Sequence, residues 1–186
     1  RFYTAEQKGE QFKRMLDSES SSGSVLRQLL TCNEYQNQFV NACNALMSGP
    51  LQPHHAASIV QEEDQDLLEY GQNSLLWEET AFFRSPERHQ AVEEILHFLN
   101  TRETAVRPLL EHYLNCNTPY HLYIAPPEGN DVISGIGIQV SGKDQAVHGT
   151  FYGSHPLVLT AQAGMGREIV GWLVNGTRIM EDKLII

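Results

Sequence analysis

Eight histidines are the first residues to weigh, because imidazole is both a common metal ligand and a common general base. His112 and Cys116 stand four apart, a spacing that can chelate zinc from one helix face. Cys116 falls where that helix should already have ended, and no second pair has matching spacing, so no metal ligand is assigned. His54-His55 lies beside Pro53 at a helix start, where adjacent side chains diverge by about 100°, and reads as a solvated pair. The cysteines are Cys32, Cys43 and Cys116, an odd number without C-x-x-C spacing. On one helix Cys32 and Cys43 would stand about 16 Å apart, beyond disulfide reach. A Cys116 bridge to either remains open, and structural or free thiols are the expectation.

Nucleophilic chemistry finds no support. No G-x-S-x-G elbow occurs, and Ser134-Gly135 and Ser141-Gly142 sit in turn-like contexts. Glu78-Glu79 and Glu93-Glu94 supply neighbouring acids, but a glycosidase needs two carboxylates facing across a substrate, and adjacent acids on a surface helix are ordinarily solvated. No catalytic residue and no cofactor are assigned. The aromatic set Tyr120, Tyr123, Phe151, Tyr152 and Trp172 is the most informative. Such rings can form a stacking platform for a sugar or a partner protein. Trp172, between Val170 and Val174, reads first as core filling, whereas Tyr123 and Tyr152 read equally as core or as contact surface. The candidate ligand-binding residues are therefore Tyr123, Tyr152 and Trp172.

The elements carrying these residues change character once. Residues 5–115 read as successive helices. Glu6–Leu16 is a short polar segment carrying Phe12, Met15 and Leu16, and residues 17–24 form a Ser-rich loop. Ser24 can cap a helix holding Val25, Leu26, Leu29 and Leu30. Thr31 or Asn33 opens the next, with Tyr35, Phe39, Ala42 and Leu46 as its apolar stripe, so Phe39 is expected in the core. Gly49-Pro50 ends it. Pro53 suits the first turn of a helix over about 54–70 that buries Ile59, Val60, Leu67 and Leu68 and is capped by Gly71. Its acidic run 61–66 is a solvated face. Ser85-Pro86-Glu87 is a strong helix start, with Val92, Ile95, Leu96 and Leu99 facing inward. Val106, Leu109, Leu110 and Tyr113 continue that face, and Pro108 should interrupt or kink the helix.

At Asn115–Pro119 the hydrophobic period falls toward two. Tyr120, Leu122 and Ile124 alternate, as do Ile136, Ile138 and Val140, and Leu157, Leu159 and Ala161. Residues 169–174 are apolar on both faces, and Asn175-Gly176 is the strongest hairpin signal. The expected fold is α+β: a multi-helix region over 1–117, then a small antiparallel β-sandwich-like domain over 118–186. So small a β piece should lean on the helices.

Composition narrows the class. The 186 residues are 41% hydrophobic and 19% charged, ordinary for a globular chain, and 13 basic against 23 acidic residues leave a net charge of −10. That balance argues against nucleic acid or an anionic membrane surface as partner. No apolar run approaches the roughly 20 residues needed to span a bilayer. The opening Arg1-Phe2-Tyr3, without Met or an apolar leader, reads as a piece excised from something longer.

Several stretches resemble the C-terminal part of the spore-coat protein H (CotH) family. They are Val25–Leu30, Asn33-Glu34-Tyr35-Gln36-Asn37-Gln38-Phe39, and Phe98-Leu99-Asn100-Thr101-Arg102, where Phe98 and Arg102 fit an F-x-x-x-R helix. Trp77 matches a tryptophan that often precedes that helix. Gly153–Ala161, Gly164–Gly166 and Gly171-Trp172-Leu173-Val174-Asn175-Gly176 are similar to a β domain that many bacterial members append. The resemblance covers about residues 22–176. It implies a secreted or cell-surface protein with an atypical kinase-like fold, whose ATP lobe and metal-binding aspartate motif lie N-terminal to the matched part. No D-x-D-x-x-F-G and no Gly-rich phosphate loop is present here, so no catalytic residue carries over. What is implied is a non-catalytic C-terminal portion that supports a kinase-like core and presents a binding or spacing β module. Its partners would be the rest of its parent chain and a surface polysaccharide or protein. The alternative is a carbohydrate- or cell-surface-binding adhesion module; a self-contained hydrolase fits least.

Overall fold

A computed structural model describes residues 13–14, 21–49, 51–73 and 85–186. The segment carrying Phe12, Met15 and Leu16, together with Trp77 and the Glu78-Glu79 pair, lies outside the described residues. The described residues include the helices α1 (Ser21–Leu30), α2 (Asn33–Ser48), α3 (Pro53–Asn73) and α4 (Pro86–Tyr113). The strands that follow are β1 (Pro119–Ile124), β2 (Val132–Gly135), β3 (Ile138–Ser141), β4 (Val147–Tyr152), β5 (Val158–Gln162), β6 (Trp172–Val174), β7 (Thr177–Ile179) and β8 (Lys183–Ile185). The fold is α+β, and every strand pair is antiparallel. No described helix is long and apolar enough to cross a membrane.

Local chemistry explains several helix ends. Ser85 caps α4: its side-chain oxygen accepts from the Arg88 N–H at 3.2 Å, with Pro86 in the first turn. Pro53 opens α3 and Gly49 closes α2. Four local expectations need correction. α1 already includes Ser21 to Ser24, residues of the segment read as loop. α3 runs past Gly71 to Asn73. α4 continues through Pro108, so the helix is not interrupted there, although the proline still forfeits one hydrogen bond. The strand expected along 169–174 is confined to Trp172–Val174, because Gly171 takes a backbone φ of 139° against the Ile179 carbonyl.

Packing departs from the sequence stripe most clearly in α2. Its buried residues are Val40, Asn41, Asn44, Ala45, Met47 and Ser48, while Phe39 is half-buried beside Tyr35 and Leu46 is exposed. Phe39 packs on the rim of the helical core instead of inside it. The side with Asn41, Asn44, Ala45 and Ser48 is small and polar because it lies on β4 and on the turn after β2. Gly149 meets Ser48 there, and Gly137 meets Ala45. Large side chains would hold the helix away from the sheet. α3 is likewise shallower than expected: Ile59 and Leu67 are exposed and Ala56 is its buried apolar residue. The buried Arg88 guanidinium holds α4 to α3 by donating to the Asp64 carboxylate and, at 2.9 Å, to the Asp64 carbonyl.

Strand order places β4 beside β1, then β3-β2-β5-β8 in a second sheet, and β6 with β7. Alternation holds along β1, where Tyr120, Leu122 and Ile124 face the β core and His121 and Tyr123 face out. Phe151 and Tyr152 are consecutive and both fully buried, on opposite faces. Phe151 joins Val140, Leu157 and Leu159 in the β core, whereas Tyr152 joins Val40, Leu110 and Leu114 among the helices. Between the halves, Asn115 and Thr118 take φ of 52° and 56°. The Gly153 N–H donates to the Thr118 carbonyl, and the Ser154 hydroxyl bonds both the N–H and the carbonyl of Asn117.

The Asn175-Gly176 hairpin forms as read, with φ of 49° and 81° at the two turn residues. No described residue crowds Gly176, so Gly176→Val tests backbone conformation alone. It should cost about 1–2 kcal/mol, measured by denaturant unfolding, whereas Gly176→Asn should cost well under half of that.

A cleft in the β half as the candidate functional site

A cleft of about 620 Å³ opens between β1 and β6, floored by β2, β5 and β8. Its floor is aliphatic, from Ile133, Leu159, Ala161 and Leu184, and the Trp172 ring forms part of its wall. A site of that size and polarity suits a small ligand or a segment of one. A smaller hollow shares Ala161, Ile169 and Gly171 with it and extends to Met180, Glu181 and Asp182.

The three candidate residues do not converge. Tyr123 and Trp172 both line the cleft, Tyr123 largely exposed and Trp172 nearly buried. The Trp172 indole N–H donates to the Glu181 carbonyl at 3.0 Å, so the indole's one donor is already satisfied. Tyr152 belongs elsewhere: it is 1% exposed, packs among the helices, and donates its hydroxyl to the Glu111 carboxylate at 3.1 Å. Alternation along β4 turns it away from the side that Phe151 fills. Tyr120, a member of the aromatic set and of the β1 alternation, also lines the cleft, and its buried hydroxyl has no hydrogen-bond partner among the described residues. Burial pushes its phenol pKa up and keeps it a proton donor.

Sequence reading missed two further arrangements. Asp131 accepts from the Gly164 N–H at 2.8 Å and pairs with Arg167 at 3.2 Å, tying two loops together at one end of the cleft. Asn41 donates to the carbonyls of His155 and Pro156, at 3.2 and 3.0 Å, fixing the β4–β5 loop to α2. The signal for the second was present as Asn41, Asn44 and Ser48 at helical spacing. Ser154 and His155 are also hydrogen-bonded, Oγ to Nδ1 at 2.9 Å. Ser154 is committed to the Asn117 backbone, so the pair closes a loop and does not present a nucleophile. His112 packs edge-on against Tyr113, and Cys116 is buried with its thiol pushed up to about 12, chiefly by burial. Cys32, Cys43 and Cys116 are all free. Among the described residues no group of His, Cys, Asp and Glu is arranged to hold a metal ion.

Burial of His155 lowers its pKa from 6.5. The unfolded chain then binds the proton more readily than the folded one, so stability should fall as pH drops below about 6.5. Denaturant midpoints from pH 8 to pH 5 should fall more steeply for the native chain than for His155→Gln; equal slopes would count against this linkage. Comparisons of the chain with protein-family models, curated proteins and solved structures return no match.

Proposed function

We propose that this chain is a non-catalytic recognition module, in which the helices brace a β half that binds ligand in the cleft between β1 and β6. The observation that carries this reading is the cleft itself, large, aliphatic and open. Folded domains ordinarily fill such a volume with their own side chains. Tyr123 supports it further, since its largely exposed ring lines the cleft beside Trp172 and offers a ligand an aromatic face. A module that binds without reacting fits the role implied by the CotH resemblance, a binding or spacing unit carried behind a larger core.

The neutral dye Nile red tests the site. It should bind the full chain at one site with enhanced emission, and Ala161→Trp, which fills the floor, should abolish that binding while leaving the far-ultraviolet circular dichroism unchanged. Failure of the native chain to bind, or unaltered binding by Ala161→Trp, would refute the cleft as the site.

A further inference from the structure

The two long walls of the cleft are strand edges. Tyr120 through Ala125 all line it on one side, and Gly171 through Asn175 on the other. A strand face contributes every second residue to a surface, so unbroken runs mean that the cleft follows the edges of the strands. β1 pairs with β4 alone and β6 with β7 alone, so the edges turned to the cleft are unpaired among the described residues. In the β6–β7 hairpin the two-residue turn makes Val174 and Thr177 the hydrogen-bonded pair. Leu173 opposite Arg178 is then a non-bonded pair, and the Leu173 N–H and carbonyl point away from β7 into the cleft. Native edges are usually protected by charge, whereas these carry the exposed side chains of Tyr123 and Leu173.

Resting on the cleft-binding function above, we propose that the cleft accepts a β-strand from another polypeptide, inserted between β1 and β6. The guest would complete a five-stranded sheet in the order β4-β1-guest-β6-β7. Its inward side chains would fill the aliphatic floor at every second position, and its backbone would satisfy both edges. Charge complementarity specifies one end of the guest. Glu181 and Asp182 line the adjoining hollow, and among the described residues neither carboxylate has a salt-bridge partner. With a net charge of −10 behind them, they favour a lysine, an arginine or an amino terminus there. A polysaccharide fits less well: the Trp172 N–H is already used and the floor offers aliphatic carbon where a sugar needs hydroxyl partners.

The test uses the full chain and the amidated peptide Lys-Val-Thr-Val-Thr-Val, titrated calorimetrically beside two versions N-methylated on alternate amides, one for each edge. The parent peptide should bind one to one, and each methylated version about tenfold more weakly, as expected for lost backbone hydrogen bonds. Leu173→Pro should weaken the parent peptide similarly and Leu173→Ala hardly at all, while replacing Glu181 and Asp182 by their amides should reduce its salt dependence. Equal binding of parent and methylated peptides would overturn the strand proposal in favour of simple apolar packing. Peptide failure beside retained Nile red binding, or binding of cellohexaose in the peptide's place, would overturn it while leaving the cleft function standing. Failure of both peptide and dye would remove both.

Discussion

Tyr152→Ala should destabilise the whole chain by about 3–5 kcal/mol, the usual range for emptying a large aromatic site, and the helical and β signals should be lost in one shared transition. Tyr152 is a β4 residue buried against Val40, Leu110 and Leu114, so its cavity would open in the helical core from the β side. Removing its hydroxyl also takes from Glu111 the donor that Tyr152 supplies. Three other contacts bind the same surfaces: Asn41 on the 155–156 carbonyls, Ala45 within the β core, and the junction bonds at 117–118. Circular dichroism near 222 nm and the near-ultraviolet tyrosine and tryptophan band should therefore melt together in both native and variant chains. Residues 118–186 expressed alone should show no cooperative melt. Separate transitions in the whole chain, or an isolated β piece that melts as it does in the whole chain, would refute the coupling.

Gly149→Val should cost about 3 kcal/mol or more, at the upper end of overpacking. A Cβ placed on Gly149 would lie 1.7 Å from the Ser48 hydroxyl oxygen and 2.4 Å from Ser48 Cβ, so α2 and β4 would have to part. Parting them would strain Asn41 and Ala45 as well, since both sit on the same helix face. The diagnostic is the exchange of partners. Ser48→Gly combined with Gly149→Ser restores the volume across the contact and should recover at least half of what Gly149→Ser alone loses. Additive losses in denaturant unfolding would mean that the contact does not set the helix–sheet spacing.

The α+β division and the hairpin at Asn175-Gly176 were legible because they depend on local rules. Capping at Ser85, a turn that wants left-handed residues, and a period that shortens after Asn115 are each written within a few residues. The inner face of α2 was not legible. The apolar stripe through Tyr35, Phe39 and Leu46 points to a helix resting on other helices, but α2 rests on a sheet at close range, where Asn41, Ala45 and Ser48 fit and Phe39 does not. The same reason hid Tyr152, whose burial follows from which strand α2 chooses. Of the candidate site, Tyr123 and Trp172 were found as aromatics, but the cleft between them depends on which strands remain unpaired, a property of topology that no single residue carries.

The junction at 115–118 has a mechanical consequence. By composition it is where the hydrophobic period changes and the boundary between the two halves is drawn. Its atoms form a weld: the Asn117 N–H and carbonyl are both bonded to Ser154, the Thr118 carbonyl to the Gly153 N–H, and two left-handed residues fix its angle. A pull between the helices and the strands would therefore not stretch a slack connector. The load would pass at once into the β4–β5 loop and, through Asn41, back into α2, so the chain should transmit force as one stiff body until that loop lets go.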